Sequence, residues 1–258
     1  MNDEPDNRPT LSAYIITLNE EKNIARALES VRWMDEIVVL DSGSTDDTVR
    51  IAGEYGAKVT VSEFRGYVTQ KNNAMELCSG EWLFNLDADE EVTKDLRTSI
   101  ERVVAGTANG KSLYRVSRKT WYFGRWIEHC GWNPEYRVRL SRCGKARWAG
   151  EVLHESLTGD GPVGLLDGYL LHRPYHDLGE HLTTIGRYTY LWARREASGG
   201  RTASVFDIVF RPPAKFLKMY ILRGGIRDGV PGFVASVMGA WYTFLKYARL
   251  IEYSGMHE

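Results

Sequence analysis

The 258-residue sequence predicts an α/β fold, with a mostly parallel sheet flanked by helices and a helical C-terminal extension. Over the first hundred residues, short apolar runs alternate with segments whose apolar residues recur at helical spacing. Such alternation is typical of a parallel sheet with helices on both faces. From about residue 177 the pattern is helical instead. We therefore expect a disordered leader over residues 1–10, an α/β domain over 11–175 and a helical extension over 176–258.

Four strands and three helices account for the first part of the chain. Apolar residues that recur at helical spacing, such as Ile24 and Leu28, mark the first helix, and Gly56 and Gly80 mark the ends of the next two. The predicted strands are LSAYIIT (11–17), EIVVLD (36–41), AKVTVSE (57–63) and EWLFNLD (81–87). The predicted helices between them are NEEKNIARALESV (19–31), STDDTVRIAGEYG (44–56) and YVTQKNNAMELCSG (67–80).

The second part of the chain has a different pattern. A helix around 93–105 precedes four segments that are rich in aromatic residues and arginine and separated by glycine turns. These predicted strands are SLYRVSRKTWYFG (112–124), EYRVRLS (135–141), KARWAG (145–150) and VGLLDGYLLHR (163–173). In the helical extension, we expect interruptions at Arg211–Pro213 and at Gly229–Gly232.

Composition and charge exclude several classes of protein. Three scattered cysteines (Cys78, Cys130 and Cys143) fit neither a disulfide framework nor a zinc site, and they indicate a reducing compartment. The acidic, polar N-terminus does not resemble a secretory signal, so we expect a cytoplasmic protein. The net charge of −1 and the lack of a known motif argue against nucleic-acid binding. Residues 1–100 carry 10 Lys and Arg against 20 Asp and Glu, whereas the rest carry 23 against 14. The first half could hold a metal and the second could face phosphates or an anionic surface.

Polar residues follow three of the predicted strands, at Thr17–Glu20, Asp41–Ser44 and Asp87–Asp89. Ligands of parallel α/β sheets bind at the carboxyl ends of the strands, so these residues indicate a common site. Asp87 and Asp89 would repel each other unless a cation lay between them, and hard oxygen ligands suit Mg²⁺ or Mn²⁺. The alternative is a solvated acidic loop, with Glu90 and Glu91 near the N-terminus of a helix.

Three segments occur in order at these strand ends: YIITLNEEKNIARALESV, EIVVLDSGSTDDTVRIA and QKNNAMELCSGEWLFNLDADEEV. Together they resemble glycosyltransferase family 2, whose members are inverting, nucleotide-sugar-dependent enzymes of the GT-A fold, and the resemblance covers roughly residues 11–158. The segments GEVLHESL and YILRGGIRDGVPGF are similar to bacterial transferases of lipopolysaccharide-core and envelope-glycan assembly. The resemblance implies a UDP-sugar donor, a glycan or lipid-linked glycan acceptor and a divalent cation, Mg²⁺ or Mn²⁺.

The resemblance also implies roles for individual residues. Asp89 would be the main metal ligand, and Asp87 would meet the ribose or the metal. Ser42 stands where the family often has a second acid. Two alternatives remain open, because Asn19 could cap the first helix and Lys71 could be a solvated surface lysine. The residues that would bind the nucleotide sugar are Thr17, Asn19, Glu20, Asp41, Lys71 and Asp87.

An inverting transfer needs a base for the acceptor hydroxyl. In RWAGEVLHESL, the resemblance favours Glu155 as the general base, with His154 orienting it or completing the metal shell. Adjacent residues of a strand face opposite sides, so only one of this pair can point into a cleft. His172 and the arginines Arg137 and Arg139 stay ambiguous, although the arginines could meet anionic groups. The other candidates for the base are Glu128, His129, Glu135, Glu151 and Asp167.

Residues 230–245 carry no charge and are flanked by basic residues. The segment is too short and too broken by Pro231 and Gly232 to span a bilayer, but it could lie on an anionic membrane surface. That would make the protein peripheral on the cytosolic face of the inner membrane. The alternative is a helix that packs on the protein itself. Two rival functions are a sugar-1-phosphate nucleotidyltransferase and a non-catalytic nucleotide- or glycan-binding module.

Overall fold

The computed structural model describes residues 8–106, 110–150 and 155–255. The chain divides into two compact units. The first, called here the α/β unit, comprises the chain up to Arg118 together with Tyr136–His172. The second, called the helical unit, comprises Lys119–Glu135 and the chain from Arg173 onward. The predicted boundary after residue 175 lies three residues from the observed one, and residues 119–135 join the helical unit.

Four parallel strands form one half of the main sheet, in the order β3-β2-β1-β4. The apolar runs of β1, β2 and β4 are buried on both faces, as expected for strands that have helices packed on each side, whereas the edge strand β3 is mostly exposed. This half confirms the predicted α/β fold. The strands are β1 (Leu11–Thr17), β2 (Glu36–Asp41), β3 (Lys58–Val61) and β4 (Trp82–Asn85).

The sheet continues beyond β4 through strands from later in the sequence, in the order β4-β8-β6-β11-β5. The β4–β8 and β11–β5 pairs are antiparallel, and β7 pairs with β6. β9 and β10 form a separate two-stranded antiparallel sheet. The remaining strands are β5 (Glu90–Val92), β6 (Leu113–Tyr122), β7 (Arg125–Trp126), β8 (Glu135–Arg142), β9 (Arg147–Ala149), β10 (Ser156–Thr158) and β11 (Val163–His172).

Four helices belong to the α/β unit, and alternate residues of each strand pack on opposite sides of the sheet. Ile15 packs with Leu28 and Leu96 on one side, whereas Tyr14 packs with Met75 and other residues on the other. Each large apolar side chain that is fully buried in this way contributes about 1.5–3 kcal/mol. The helices are α1 (Ile24–Val31), α2 (Thr48–Glu54), α3 (Tyr67–Glu76) and α4 (Lys94–Val104).

The helical unit contains α5 (Leu178–Ser198), α6 (Val205–Leu217) and α7 (Gly229–Gly255). The π-helical turn Lys218–Leu222 and the 3₁₀ turn Gly225–Asp228 connect α6 to α7. The predicted interruption at Arg211–Pro213 is wrong, because α6 continues through both prolines. Helix α6 is stabilised at its start by Asp207, which accepts a hydrogen bond from the backbone N–H of Ser204 at 2.9 Å. None of the described helices has both the length and the apolar character that crossing a membrane requires.

Candidate active site

The loop that follows β2 is organised by Asp41. Thr17 and Asp41 are register partners at the ends of β1 and β2, and Thr17 Oγ1 donates to Asp41 Oδ2 at 2.8 Å. The backbone N–H groups of Gly43 and Ser44 donate to Oδ1 at 2.9 and 2.7 Å, and Ser44 Oγ donates to Oδ2 at 2.5 Å. Gly43 has a φ of 91°, which glycine adopts without strain. Four protein donors therefore hold the fully buried Asp41 carboxylate and fix the shape of the loop.

Asn19 and Glu20 connect the loop after β1 to the loop after β2. Asn19 has a φ of 55°, its N–H donates to Ser44 Oγ at 2.8 Å, and its side-chain oxygen accepts from the N–H of Thr45 at 2.8 Å. The N–H of Glu20 donates to Thr48 Oγ1 at 2.7 Å. Asn19 therefore does not cap the first helix, and α1 begins later than predicted because these residues join the two loops.

Lys71 is buried on α3, so the alternative of a solvated surface lysine is wrong. Its Nζ lies 3.1 Å from Asp87 Oδ1, 3.8 Å from Glu155 Oε1 and 4.3 Å from the centroid of the Trp148 ring. The adjacent residue, Gln70, donates from Nε2 to Ser42 Oγ at 3.1 Å. Helix α3 thus contacts both the Asp41 loop and the acidic segment after β4.

Arg139 on β8 neutralises two of the clustered carboxylates. Its Nη2 lies 2.6 Å from Asp87 Oδ2 and 2.6 Å from Glu90 Oε1, and its Nη1 donates to Asn85. Burial by itself would raise the pKa of Asp87, but the charges of Arg139 and Lys71 hold that pKa well below its ordinary value. Glu90 is fully buried in β5, so the alternative of a solvated acidic loop is wrong. Protein cations therefore stabilise this part of the acidic cluster.

Asp89 has a different neighbour. His172 Nε2, at the end of β11, lies 3.2 Å from Asp89 Oδ2. Burial would raise the pKa of Asp89, and the nearby His172 outweighs that effect and lowers it. His172 reaches this position because the antiparallel register of β11 and β5 places it opposite Glu90. In the described ranges, no group of three or more His, Cys, Asp or Glu side chains forms a complete metal site.

A cavity of about 230 Å³ in the α/β unit is lined by charged side chains from α3, β6, β8 and the segment after β4. Glu155 lines it, and its side chain is 21% exposed. His154 and Glu151 lie outside the described residues. Asp167 pairs instead with Arg102 at 3.3 Å and is 77% exposed. The charged residues that line the cavity are Lys71, Asp87, Arg118, Arg137, Arg139 and Glu155.

The sequence reasoning did not assign Glu90, and it left His172 and Arg139 ambiguous. The local sequence contained no sign of the partners of Glu90 and Arg139, because the ion pairs of Arg139 join residues about 50 positions apart. The structure brings Lys71, Asp87 and Glu155 together. It also joins Thr17, Asn19 and Glu20 to the Asp41 loop, at the ends of the neighbouring strands β1 and β2.

Known proteins share this sequence pattern. The family model described as "Glycosyl transferase family 2" matches residues 12–145. The lipopolysaccharide core biosynthesis glycosyltransferase LpsC of Rhizobium meliloti is 34% identical over 254 residues, which cover 94% of this chain and 92% of the relative. An uncharacterized glycosyltransferase of Rickettsia typhi is 32% identical over 256 residues, which cover 95% of this chain and 87% of the relative.

Two solved structures show more distant likeness. Staphylococcus aureus TarS (residues 1–349, with UDP-GlcNAc) is 14% identical, with a TM-score of 0.49 over 96% of this chain and 91% of that chain. Glucosyl-3-phosphoglycerate synthase from Mycobacterium tuberculosis, with Mn²⁺, UDP and glucosyl-3-phosphoglycerate, is 27% identical, with a TM-score of 0.37 over 45% of each chain. Both TM-scores lie below 0.5, and the family assignment rests on the sequence comparisons.

The α/β unit thus carries acidic and polar residues at the ends of its parallel strands, where ligands of such sheets bind. The chain belongs to glycosyltransferase family 2, and it is a glycosyltransferase.

Proposed function

We propose that the protein is a metal-dependent, inverting hexosyltransferase that moves a sugar from a UDP-sugar to a glycan or lipid-linked glycan acceptor. Its pathway would be the biosynthesis of lipopolysaccharide or another cell-envelope polysaccharide. Membership of family 2 and the full-length likeness to an enzyme named for lipopolysaccharide core biosynthesis support this proposal. The observation that carries it is the cluster of Lys71, Asp87 and Glu155 at one cavity.

In the proposed reaction, the acceptor hydroxyl oxygen forms a bond to the anomeric carbon as the bond from that carbon to the diphosphate oxygen breaks. The diphosphate leaves with the electron pair, and the hydroxyl proton passes to the Glu155 carboxylate. A single displacement inverts the configuration at that carbon. Glu155 suits the role because its carboxylate lines the cavity and its ion-pair contact with Lys71, at 3.8 Å, is longer than a hydrogen bond.

The nucleotide would bind at the loops that follow β1 and β2. Asp41 uses its two oxygens to shape residues 42–44, so we propose that it acts by positioning this loop beside the base. Thr17, Asn19 and Glu20 would complete the nucleotide pocket from the adjoining loop. Lys71 lies 3.1 Å from Asp87 and follows Gln70, which contacts this loop, so its charge would attract the donor diphosphate there.

Asp89 and His172 are the side chains that best fit a divalent cation, because a carboxylate oxygen and an imidazole nitrogen lie only 3.2 Å apart there. Mg²⁺ and Mn²⁺ commonly take a few protein ligands and complete their shell with waters and phosphate oxygens. Both oxygens of Asp87 already contact cations, so Asp87 would be the secondary ligand. When bound, the metal would neutralise the charge that grows on the departing diphosphate.

The helical unit carries exposed apolar side chains, which fit the proposed contact with an anionic membrane surface. Val205 and Phe206 at the start of α6 are 69% and 63% exposed, and Val230 at the start of α7 is 67% exposed. Arg223 and Arg227, on the connection between the two helices, lie at exposed positions. Lys and Arg near an anionic leaflet each contribute about 1 kcal/mol, so this composition suits an interfacial surface.

Adjacent residues of α7 point in different directions, so the two neighbouring aromatic residues of its uncharged segment have different surroundings. Trp241 is 42% exposed, whereas Tyr242 lines a cavity of the helical unit. We propose that Trp241 faces the headgroups. Sedimentation with anionic and with neutral liposomes across a salt series tests the membrane contact, and loss of binding at high salt is expected. If the intact protein ignores anionic liposomes at low salt, the contact does not exist.

A thermal-shift panel tests the donor and the metal. UDP-, GDP- and dTDP-sugars would each be added with Mn²⁺, with Mg²⁺ or with a chelator. A ligand at 100 times its Kd stabilises the folded state by about 2.7 kcal/mol, so we expect a rise in Tm of several degrees for a UDP-sugar with metal. Equal shifts with and without metal would contradict metal dependence. A larger rise in Tm with a GDP- or dTDP-sugar would indicate that this nucleotide sugar, and not a UDP-sugar, is the donor.

A further inference from the structure

A second cavity, of about 310 Å³, lies within the helical unit, and no sequence motif assigned it a role. Lys215, Lys218 and Arg223 line one part of it. All three are accessible to solvent, so a ligand can reach them. The volume falls within the range of about 300–1,000 Å³ that is typical of small-molecule sites, and it exceeds what a lone phosphate requires.

The three cations are not balanced by acids. No Asp or Glu lines the cavity, and over the described part of the chain no carboxylate oxygen lies within 4.0 Å of Lys215, Lys218 or Arg223. Partial burial lowers the pKa of Lys215, and the charges of Lys218 and Arg223 lower it further. Clustering like charges in this way is unfavourable unless an anion binds between them.

Asp228 is buried nearby, does not line the cavity and does not supply the missing charge. Its two oxygens accept hydrogen bonds from the N–H groups of Glu128 and His129 at 3.3 and 2.9 Å, and from His129 Nδ1 at 3.1 Å. Cys130, which lines the cavity, has its Sγ 3.9 Å from the Asp228 carboxylate. The Asp228 carboxylate is therefore committed to the backbone of the 128–129 segment.

Arg223 is fixed in place by backbone contacts. Its carbonyl oxygen accepts from the N–H of Cys130 at 3.0 Å, and its N–H donates to the carbonyl of Lys218 at 2.8 Å. Gly131 has a φ of 78°, and a Cβ at this position would lie 2.8 Å from Arg223 Nη1. The guanidinium group thus lies close against Gly131, in space that only glycine leaves open. Such positioning lowers the cost of ordering the side chain when an anion binds.

Aromatic rings form another part of the cavity wall. Tyr175 stacks on His181 with ring centroids 4.1 Å apart, and Trp132 and Tyr188 also line the cavity. Burial lowers the pKa of His181 to about 4, so this ring is neutral at physiological pH. Flat rings with polar edges offer a surface on which the apolar face of a sugar packs.

We propose that this cavity binds a phosphorylated saccharide, with the phosphate on Lys215, Lys218 and Arg223 and the sugar ring against the aromatic wall. The inference does not depend on the proposed donor, metal or acceptor, because it concerns a separate cavity. A phospholipid headgroup offers the same phosphate chemistry without the sugar ring. The experiment must therefore separate these two sources.

Calorimetric titration of the full chain with glucose 6-phosphate tests the proposal. We expect glucose 6-phosphate to bind at least about tenfold more tightly than glucose, which lacks the phosphate, or inorganic phosphate, which lacks the sugar ring. Dihexanoyl phosphatidylglycerol, used below its micellar concentration, is the lipid probe, and we expect it to bind more weakly. Tighter binding of the lipid, or equal binding of glucose and glucose 6-phosphate, would overturn the proposal.

Variants locate the binding. Arg223→Gln should weaken glucose 6-phosphate binding about tenfold or more, whereas Arg227→Gln, the matched control four residues away, should leave it unchanged. Gly131→Ala should act like Arg223→Gln because the added Cβ displaces the guanidinium. Lys71→Met, in the α/β unit, should have no effect. Unchanged affinity in Arg223→Gln, or a loss in Lys71→Met, would place the binding elsewhere and overturn the inference.

Discussion

Glu155→Gln is the substitution that most directly tests the proposed chemistry. It removes the carboxylate that would accept the proton of the acceptor hydroxyl and preserves the size of the side chain. General-base catalysis typically contributes about 10²–10⁴-fold, so we expect kcat to fall by that factor. Donor affinity should change little, because Lys71 keeps its closer ion pair with Asp87 at 3.1 Å.

The cost in stability should be small. The contact between Glu155 and the buried Lys71 is 3.8 Å long, and Lys71 keeps its closer ion pair with Asp87, so we expect the loss to be about 1 kcal/mol or less. We therefore expect Tm to fall by no more than about 4 °C. A large loss of activity with an intact fold would then report on chemistry rather than on folding.

The assay is transfer of labelled sugar at saturating donor, alongside calorimetric titration of the donor in the presence of Mn²⁺. Asp167→Asn is the matched control, since it removes an exposed carboxylate of the same unit that does not line the cavity. Transfer by Glu155→Gln within about threefold of the unchanged protein would refute the assignment of the base. A parallel loss of donor affinity would instead indicate a binding role.

Three further predictions concern the metal, the nucleotide loop and pH. Asp89→Asn should lower transfer about 100-fold or more, because the proposed metal would supply several kcal/mol of charge stabilisation. Near-native turnover of this variant with saturating Mn²⁺ would exclude Asp89 as the main metal ligand. Asp41→Ala leaves the hydrogen-bond donors of its loop without an acceptor, so UDP binding, measured by calorimetry without metal, should weaken about tenfold. An effect seen only with metal would instead place Asp41 near the diphosphate. Burial lowers the pKa of His181 to about 4. Between pH 6.5 and pH 4, the imidazole of His181 therefore takes up a proton in the unfolded chain but not in the folded one. The free energy of unfolding, measured in urea, should fall by up to about 1.4 kcal/mol per pH unit from pH 6.5 to 4 relative to His181→Gln, and parallel pH profiles would contradict this reasoning.

Local patterns in the sequence determined the α/β unit and the place of its site. Strands in parallel register end at the same edge, so Thr17 and Asp41 could be placed together from the order of the elements alone. The segments that resemble family 2 also predicted the family that the comparisons confirm. Both inferences depend on short-range signals, namely apolar periodicity and the residues that follow each strand.

Only the tertiary structure decided what surrounds those residues. The pairing of β11 with β5 brings His172 to Asp89, and the position of β8 brings Arg139 to Asp87, through contacts between residues distant in the sequence. The passage of α6 through its prolines also escaped prediction, because packing in the helical unit outweighs the local preference for a break. Register and burial of this kind depend on the whole chain, and no local window of sequence contains them.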